Sequence, residues 1–264
     1  MLGPMATLNG IPLAAPDDVL PLALTSYGHF TSMRVDDGRV RGLRLHLERL
    51  ARDCRAVFGT DLDIGCVRAW AREALPGRKG VHTVRITVYD PLLDLGRPAA
   101  SGRPSVLVTV RPAGTLSPPP LRAMSVPHER DQPEVKHCGL FGALRARRAA
   151  QLEGFDDALL VDRDGHLSEG VTWNVGFVDS DGAVVWPRAR VLPGVTMALL
   201  RERAEHRVLP VTPARAGAMR AAFATNVSIG VRALSAVDST PMDVAHPVLD
   251  RLRAAYAAIP GEEL

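Results

Sequence analysis

The sequence predicts an α+β protein built as two lobes, and three observations point to it. Short runs of β-type residues alternate with segments of helical spacing along the first part of the chain. The stretch "RPAGTLSPPPLRAMSV" is rich in proline and glycine and interrupts both periodicities, as a domain boundary does. Mixed helices and strands resume after it. We therefore predict a small N-terminal α/β domain over residues 1–115 and a larger domain over residues 121–264.

The N-terminal part contains a predicted hairpin, a helix and two strands. "TSMRVDDGRV" places two short β-type runs around a DDG turn. The next segment, "LRLHLERLARDCRAVFG", predicts a helix that ends at Gly59, because its apolar residues recur at helical spacing. These residues are Leu43, Leu47, Leu50, Cys54 and Val57. "VHTVRITVYD" and "PSVLVTVRPAG" alternate as half-buried strands do.

The C-terminal part mixes both element types. We predict a helix after Lys136, a strand at "DDALLVD" and a hairpin around "DSDG". "GVTMALLRERAEHR" predicts a helix that follows a glycine-containing loop, and "HPVLDRLRAAYAAI" predicts a closing helix. Between them, "AFATNVSIGVRALSAVD" is β-like.

Composition restricts the functional classes. The chain has 264 residues, 46% hydrophobic and 23% charged, and its net charge of +3 is spread along the sequence. It lacks a localised basic face and interleaved aromatic residues, so we predict no nucleic-acid partner. No apolar run approaches twenty residues, so we predict no membrane partner. Three cysteines without CxxC spacing predict neither a disulfide framework nor a metal site, and they favour a cytoplasmic protein.

Lysine usage singles out one position. Of 32 cationic residues, only Lys79 and Lys136 are lysines. Arginine cannot replace lysine where the amine must lose its proton, so a retained lysine is a candidate nucleophile. Retention by chance is the alternative, and it suits Lys79 in the turn-like "PGRKG". Lys136, in "PEVKHCGL", is therefore the candidate for chemistry.

Motifs around Lys136 resemble those of a known family. "EVKHCG", "DDALLVD", "SEGVTWN" and "VLPGVTMALL" follow one another in the order found in the fold-type IV pyridoxal-phosphate enzymes, also called aminotransferase class IV. The resemblance implies a D-amino-acid-aminotransferase-like fold, with pyridoxal 5'-phosphate in the cleft between the two lobes and a PLP-binding C-terminal domain. It also implies that Lys136 forms the internal Schiff base and shuttles a proton, and that Glu169 pairs with the pyridine nitrogen.

The resemblance implies further cofactor contacts. Arg49 of "HLERL" matches the family's phosphate-binding arginine, and Asn174 of "EGVTWN" matches the residue that orders the backbone around the ring. The loop "LPGVT" matches a phosphate-binding helix start. The other implied phosphate ligands are therefore Val195 and Thr196, with Asn226 and Val227 as a second contact in "ATNV".

The N-terminal motif departs from the family pattern. Relatives carry a signature close to "YGDGVFETIR", whereas this chain has "SYGHFTSMR". Its candidate pocket residues are Tyr27, His29, Thr31 and Arg34. Arg34 and Arg85 are both candidate anion partners, and the sequence does not decide between them.

A second departure follows Lys136. Phe141 stands where many aminotransferases have a tyrosine, and Gly139 replaces the asparagine of the lyase-type pattern "KHxN". The resemblance thus implies a PLP-dependent aminotransferase that acts on a small amino acid or amine and a 2-oxo acid, as a homodimer. The alternatives are a lyase resembling aminodeoxychorismate lyase, which would release pyruvate without an acceptor, and a catalytically altered relative that binds PLP or acts through protein contacts.

Overall fold

The structure is a computed structural model that describes residues 5–13, 16–100 and 103–264. Its first elements are β1 (Met5–Leu8), β2 (Ile11–Pro12), a short 3-10 helix (Pro16–Val19), α1 (Leu20–Thr25), β3 (Gly28–Asp36), β4 (Arg39–Val40), α2 (Leu43–Phe58), α3 (Ile64–Glu73), β5 (Val81–Tyr89) and β6 (Ser105–Pro112). They are followed by β7 (Leu121–Pro127), α4 (Phe141–Leu152), β8 (Asp157–Val161), β9 (Leu167–Gly170), β10 (Asn174–Val178), β11 (Val184–Pro187), α5 (Val195–Arg201), β12 (His206–Leu209), α6 (Pro213–Ala216), β13 (Ala221–Asn226), β14 (Gly230–Val237), β15 (Thr240–Pro241), α7 (Pro247–Ala257) and β16 (Glu262–Glu263).

The chain divides into two compact units. The first unit contains the described residues up to Ala113, together with Val135–Gly139 and Pro260–Leu264, and the second contains Gly114–Glu134 and Leu140–Ile259. The units are therefore not the two continuous segments, 1–115 and 121–264, that the sequence predicts. A short segment around Lys136 belongs to the first unit, because its backbone is bonded there.

The first unit is one antiparallel sheet covered on one face by α2 and α3. Its described strands lie in the order β16-β4-β3-β5-β6-β1-β2. Alternate residues of β3 point to opposite faces of the sheet, so Met33 and Val35 pack with Leu47 and Leu50 of α2 in the core. The predicted hairpin and helix are both present. Asp37 and Gly38 make the turn with positive φ, and Gly59 ends α2 in the left-handed conformation.

The segment Val135–Gly139 extends the edge of β3. The Phe30 N–H donates to the Lys136 carbonyl at 2.9 Å, and the Cys138 N–H donates to the Gly28 carbonyl at 2.8 Å. His29 and His137 form the bridge between these bonds. Lys136 is therefore held by the strand that begins with the unusual "GHF" sequence.

The second unit is built on a sheet that closes on itself. Its described strands lie in the order β12-β11-β10-β13-β14-β7-β8-β9, and β9 also pairs with β10. The closing pair is Glu169 on β9 with Asn174 on β10. Trp173, Phe177 and Leu159 are among the buried residues of its core. The fold therefore brings the two polar residues of "EGVTWN" side by side.

One predicted helix is shorter than expected. The pattern "GVTMALLRERAEHR" predicts a helix through the whole segment, but α5 ends at Arg201 and His206 begins β12. β12 pairs in parallel with β11, so the strand pairing overrides the helical pattern. No helix among the described residues is long and apolar enough to cross a membrane.

Candidate active site

One face of α2 carries a buried polar row in the first unit. His46, Arg49 and Asp53 lie three and four residues apart, so they share one side of the helix. The Arg49 Nη2 donates to the Thr31 hydroxyl at 3.0 Å, and the His46 Nδ1 lies 2.8 Å from the same oxygen. Thr31 on β3 therefore fixes both side chains.

Burial determines the charge states of this row. Burial first, and then the charges of Arg49 and Lys136, hold the pKa of His46 well below its ordinary value, so the imidazole is neutral. Burial also lowers the pKa of Arg49 to about 10, opposed by the charge of Asp53. Arg49 is therefore still a cation at neutral pH and suits a phosphate dianion.

Lys136 lies against the opposite face of β3. Its Nζ is 4.8 Å from the centre of the Phe30 ring, and the Cζ of Arg85 is 3.6 Å from the same centre. Arg85 donates to the Thr87 hydroxyl at 3.1 Å and lies near the Cys138 sulfur. Among the described residues Arg85 forms no ion pair, and burial lowers its pKa. An amine and a half-buried guanidinium thus share one aromatic ring.

The predicted pocket residues occupy three different surroundings. His29 and Thr31 face α2, and the His29 ring lies 5.9 Å from that of Phe58. Both ring nitrogens of His29 are buried without a hydrogen-bond partner among the described residues. Tyr27 donates to the Val57 carbonyl at 3.2 Å, and Arg34 pairs with Asp36 at 3.0 Å. Substrate contact by these residues stays a prediction.

Glu169 is the centre of a polar cluster in the second unit. Its Oε1 accepts from Arg130 at 3.0 Å, and its Oε2 accepts from the Leu192 N–H at 3.2 Å and from Asn174 at 3.3 Å. Asn174 also donates to the Leu192 carbonyl at 2.9 Å. A side chain on Gly194 would come within 2.0 Å of the Asn174 amide oxygen, so only glycine fits there. The carboxylate is thus buried and oriented by three donors.

Two buried hydroxyls lie on elements that pack against each other. Thr196 is in the first turn of α5 and Thr225 is in β13, and α5 contacts β13. Neither hydroxyl has a hydrogen-bond partner among the described residues, and each residue is only 1% exposed. Leaving such groups unbonded costs about 1–3 kcal/mol each. An anion with several acceptor oxygens would satisfy them, so this set fits the phosphate of PLP.

The residues of the second predicted phosphate contact lie at the end of β13 and in the turn that follows it. The Asn226 side chain holds its own turn, since its Oδ1 accepts from Ser228 and Ile229 and its Nδ2 donates to the Thr172 carbonyl. Val227 lies within that turn. The buried hydroxyl next to this turn is that of Thr225, which the sequence interpretation did not include.

Two charged residues were also missed. Arg130 precedes Lys136 by six residues, and Asp53 is one of several charged residues along α2. Nothing in the sequence distinguishes either residue from a charged residue that is exposed to solvent. Only the fold shows that Arg130 pairs with Glu169 and that Asp53 is buried.

Sequence comparison connects the chain with a group of enzymes. The family model described as amino-transferase class IV matches residues 28–237. A probable branched-chain-amino-acid aminotransferase of Rickettsia bellii (strain RML369-C) is 31% identical over 126 residues. That alignment covers 44% of this chain and 43% of the relative, so the match spans less than half of the relative's length.

Structural comparison gives similar folds over almost the whole chain. The branched-chain aminotransferase of the archaeon Thermoproteus uzoniensis with norvaline has a TM-score of 0.83 at 20% identity, covering 97% of this chain and 94% of that one. A hypothetical aminotransferase of Mycobacterium tuberculosis in its PLP-bound form has a TM-score of 0.79 at 18% identity, covering 97% and 98%. The predicted fold class is thereby confirmed.

Proposed function

Because the chain belongs to the amino-transferase class IV family, we propose that it is a PLP-dependent aminotransferase that exchanges an amino group between a small amino acid or amine and a 2-oxo acid. The family membership confirms the resemblance found in the sequence motifs. The main support is the polar set of the second unit, in which a buried carboxylate occurs with two buried hydroxyls that have no hydrogen-bond partner in the part of the chain that the structure describes. The lyase alternative is not favoured, since the relatives are named aminotransferases.

Each residue has a distinct role in this proposal. PLP, when bound, supplies an aldehyde for the substrate amine and a ring that stabilises negative charge on the substrate carbon. Lys136 would provide the primary amine that holds the cofactor and would move a proton at the substrate carbon. The Glu169 carboxylate would keep the pyridine nitrogen protonated. Arg49, Thr196 and Thr225 would be the phosphate ligands.

Arg85 is our candidate for the substrate carboxylate. Arg34 already pairs with Asp36 at 3.0 Å, whereas Arg85 has no carboxylate partner among the described residues. Arg85 and Lys136 both contact the Phe30 ring, so an anion held by Arg85 would lie near the amine. This choice, which the sequence left open, favours amino acids over simple amines.

We propose two further properties, an oligomeric state and a cellular location. We propose a homodimer from the family resemblance, and the 83% exposed Phe141 with Leu144 on α4 is consistent with a covered surface in solution. We propose a cytoplasmic location because Cys54, Cys66 and Cys138 are all free thiols. A monomeric mass by light scattering at working concentration would contradict the dimer.

The test of the cofactor chemistry uses the two lysines of the chain. The purified protein is mixed with PLP, reduced with borohydride and digested, and the modified peptide is identified by mass spectrometry. We expect the label on Lys136 and not on the exposed Lys79. Amino transfer should require a 2-oxo acid. Label on Lys79 alone would overturn the assignment of Lys136, and pyruvate release without an acceptor would establish the lyase.

A further inference from the structure

Asp53 contacts the backbone of Lys136 from the buried side of α2. Its Oδ2 accepts the Lys136 N–H at 3.0 Å, and its side chain is 1% exposed. We propose that Asp53 is a positioning residue, whose carboxylate fixes the main chain of the reactive lysine. The meaning of this role for catalysis rests on the function proposed above, but the contact itself does not.

The need for such an acceptor follows from how the segment is attached. Within the first unit, Val135–Gly139 is a short piece bonded to β3 through the Lys136 carbonyl and the Cys138 N–H. The Lys136 N–H donates to the side chain of Asp53 on α2. Asp53 therefore ties the segment to a second element, which limits rotation of the Lys136 backbone.

A carboxylate suits this position better than a neutral acceptor. Hydrogen bonds to an ionised group are shorter and stronger than neutral ones. The other oxygen, Oδ1, accepts two N–H groups of Arg52, at 2.7 and 3.1 Å. Arg52 is 46% exposed at its side chain, so solvent screens it and the buried end of the pair is Asp53. The carboxylate orientation is thus set on one side by Arg52 and on the other by Lys136.

Asp53 also opposes the positive charges that surround it. Its charge raises the pKa of Arg49 and of His29 against the lowering effect of burial. A buried carboxylate among buried cationic and basic groups reduces their mutual repulsion. Replacing it by an apolar residue removes both the charge and the acceptor, whereas asparagine removes only the charge.

The experiment compares three variants of the 264-residue protein without added PLP. Asp53→Ala removes the acceptor, Asp53→Asn retains an oxygen acceptor, and Glu48→Gln is the control, since Glu48 is an exposed carboxylate on the same helix paired with Arg44. The first measurement is hydrogen exchange of the Lys136 amide. We expect exchange about ten- to hundredfold faster in Asp53→Ala. Asp53→Asn should stay within about threefold of the unchanged protein, and Glu48→Gln should not differ from it.

The second measurement is the reactivity of the Lys136 side chain. Acylation of Lys136 is compared with that of Lys79 in the same sample, so the exposed Lys79 serves as an internal reference. We expect the labelling ratio of Lys136 to Lys79 to change in Asp53→Ala and to be restored in Asp53→Asn. With PLP and substrates, kcat should fall in Asp53→Ala while KM for the amino donor changes little.

The outcomes separate the two proposals. Unchanged exchange and labelling in Asp53→Ala would overturn the positioning role, whatever the activity. Changed exchange and labelling in a protein without transferase activity would support the contact while contradicting the proposed function. If Asp53→Ala fails to fold, the positioning role is tested with Asp53→Asn and Asp53→Ser instead. The shorter side chain of Asp53→Ser should expose the Lys136 amide to exchange. Equal protection in Asp53→Ser and the unchanged protein would then overturn it.

Discussion

The two units assemble their polar clusters over very different distances along the chain. In the second unit, Glu169 bonds to Asn174, Leu192 and Arg130, which lie 5, 23 and 39 positions away. In the first unit, the Lys136 amide bonds to Asp53 across 83 positions. The local cluster follows from motifs that can be recognised in sequence, whereas the distant one follows from how a strand edge meets a helix. The following predictions test whether residues of the two units also differ in their effects on activity, stability and cofactor affinity.

The largest effect is expected at Lys136. Lys136→Arg keeps a cation near the Phe30 ring but removes an amine that can lose its proton, so transfer activity should fall by about 10⁴-fold or to background. The measurement is amino transfer with saturating PLP, together with borohydride trapping. Lys79→Arg is the matched control and should keep full activity. A Lys136→Arg protein with more than a tenth of the activity of the unchanged protein would contradict the assignment of Lys136 as the nucleophile.

A smaller loss is expected at Glu169 in the second unit. Glu169→Gln retains an oxygen acceptor but removes the charge opposite Arg130, so kcat should fall by about 10²- to 10³-fold. PLP should still be trapped on Lys136, because the amine is untouched. Glu202→Gln, an exposed glutamate of the same unit, is the control. Loss of trapping in Glu169→Gln would show that the carboxylate supports binding of the cofactor rather than its electronics.

Stability in acid tests the buried histidine of the first unit. Burial lowers the pKa of His29 to about 4 from 6.5. Between pH 4 and pH 6.5 the unfolded chain therefore binds more protons at His29 than the folded chain does. As a result, the free energy of unfolding is highest above pH 6.5 and decreases as the pH falls towards 4. The loss is on the order of 3 kcal/mol. In His29→Leu, urea unfolding at pH 7 and pH 4.5 should differ less than in the unchanged protein.

The control for this measurement is Thr240→Val in the second unit, which replaces no titratable group and should leave the acid dependence as it was. An unaltered pH dependence in His29→Leu would mean that another group accounts for the acid loss. His29 belongs to the "GHF" sequence, which departs from the family pattern. The result therefore also shows whether this sequence contributes to the stability of the fold.

The smallest effect concerns the two threonine hydroxyls of the second unit. Thr196→Val and Thr225→Val replace buried hydroxyls that have no partner among the described residues, so the free energy of unfolding without ligand should stay the same or rise by about 1 kcal/mol. Affinity for PLP should fall about tenfold in each, as a phosphate contact is lost. Calorimetry with and without PLP measures both. Thr240→Val, outside the cluster, is the control.

A variant that is more stable without PLP but binds PLP more weakly would identify its hydroxyl as a ligand contact. If both variants lose stability without ligand and keep their affinity for PLP, the threonines serve packing alone. The phosphate assignment would then rest on Arg49 of the first unit.

The sequence by itself determined the family and the fold class, and it predicted the part of the candidate site that lies in short motifs. The roles predicted for Glu169 and Thr196 come from the resemblance of short motifs to those of the family. The hairpin at Asp37–Gly38 and α2 with its terminal Gly59 were predicted from turn and helix signals. Scarcity of lysine selected Lys136 because arginine cannot perform proton transfer.

Only the tertiary structure decided which other polar residues support these motifs. Asp53 and Arg130 resemble solvated charges in sequence, and the fold buries the first against the Lys136 amide and pairs the second with Glu169. α5 is shorter than its pattern because His206 begins a strand that pairs with β11. The physical reason is the same in each case. Burial and strand pairing depend on residues far along the chain, whereas propensity and motif spacing are local.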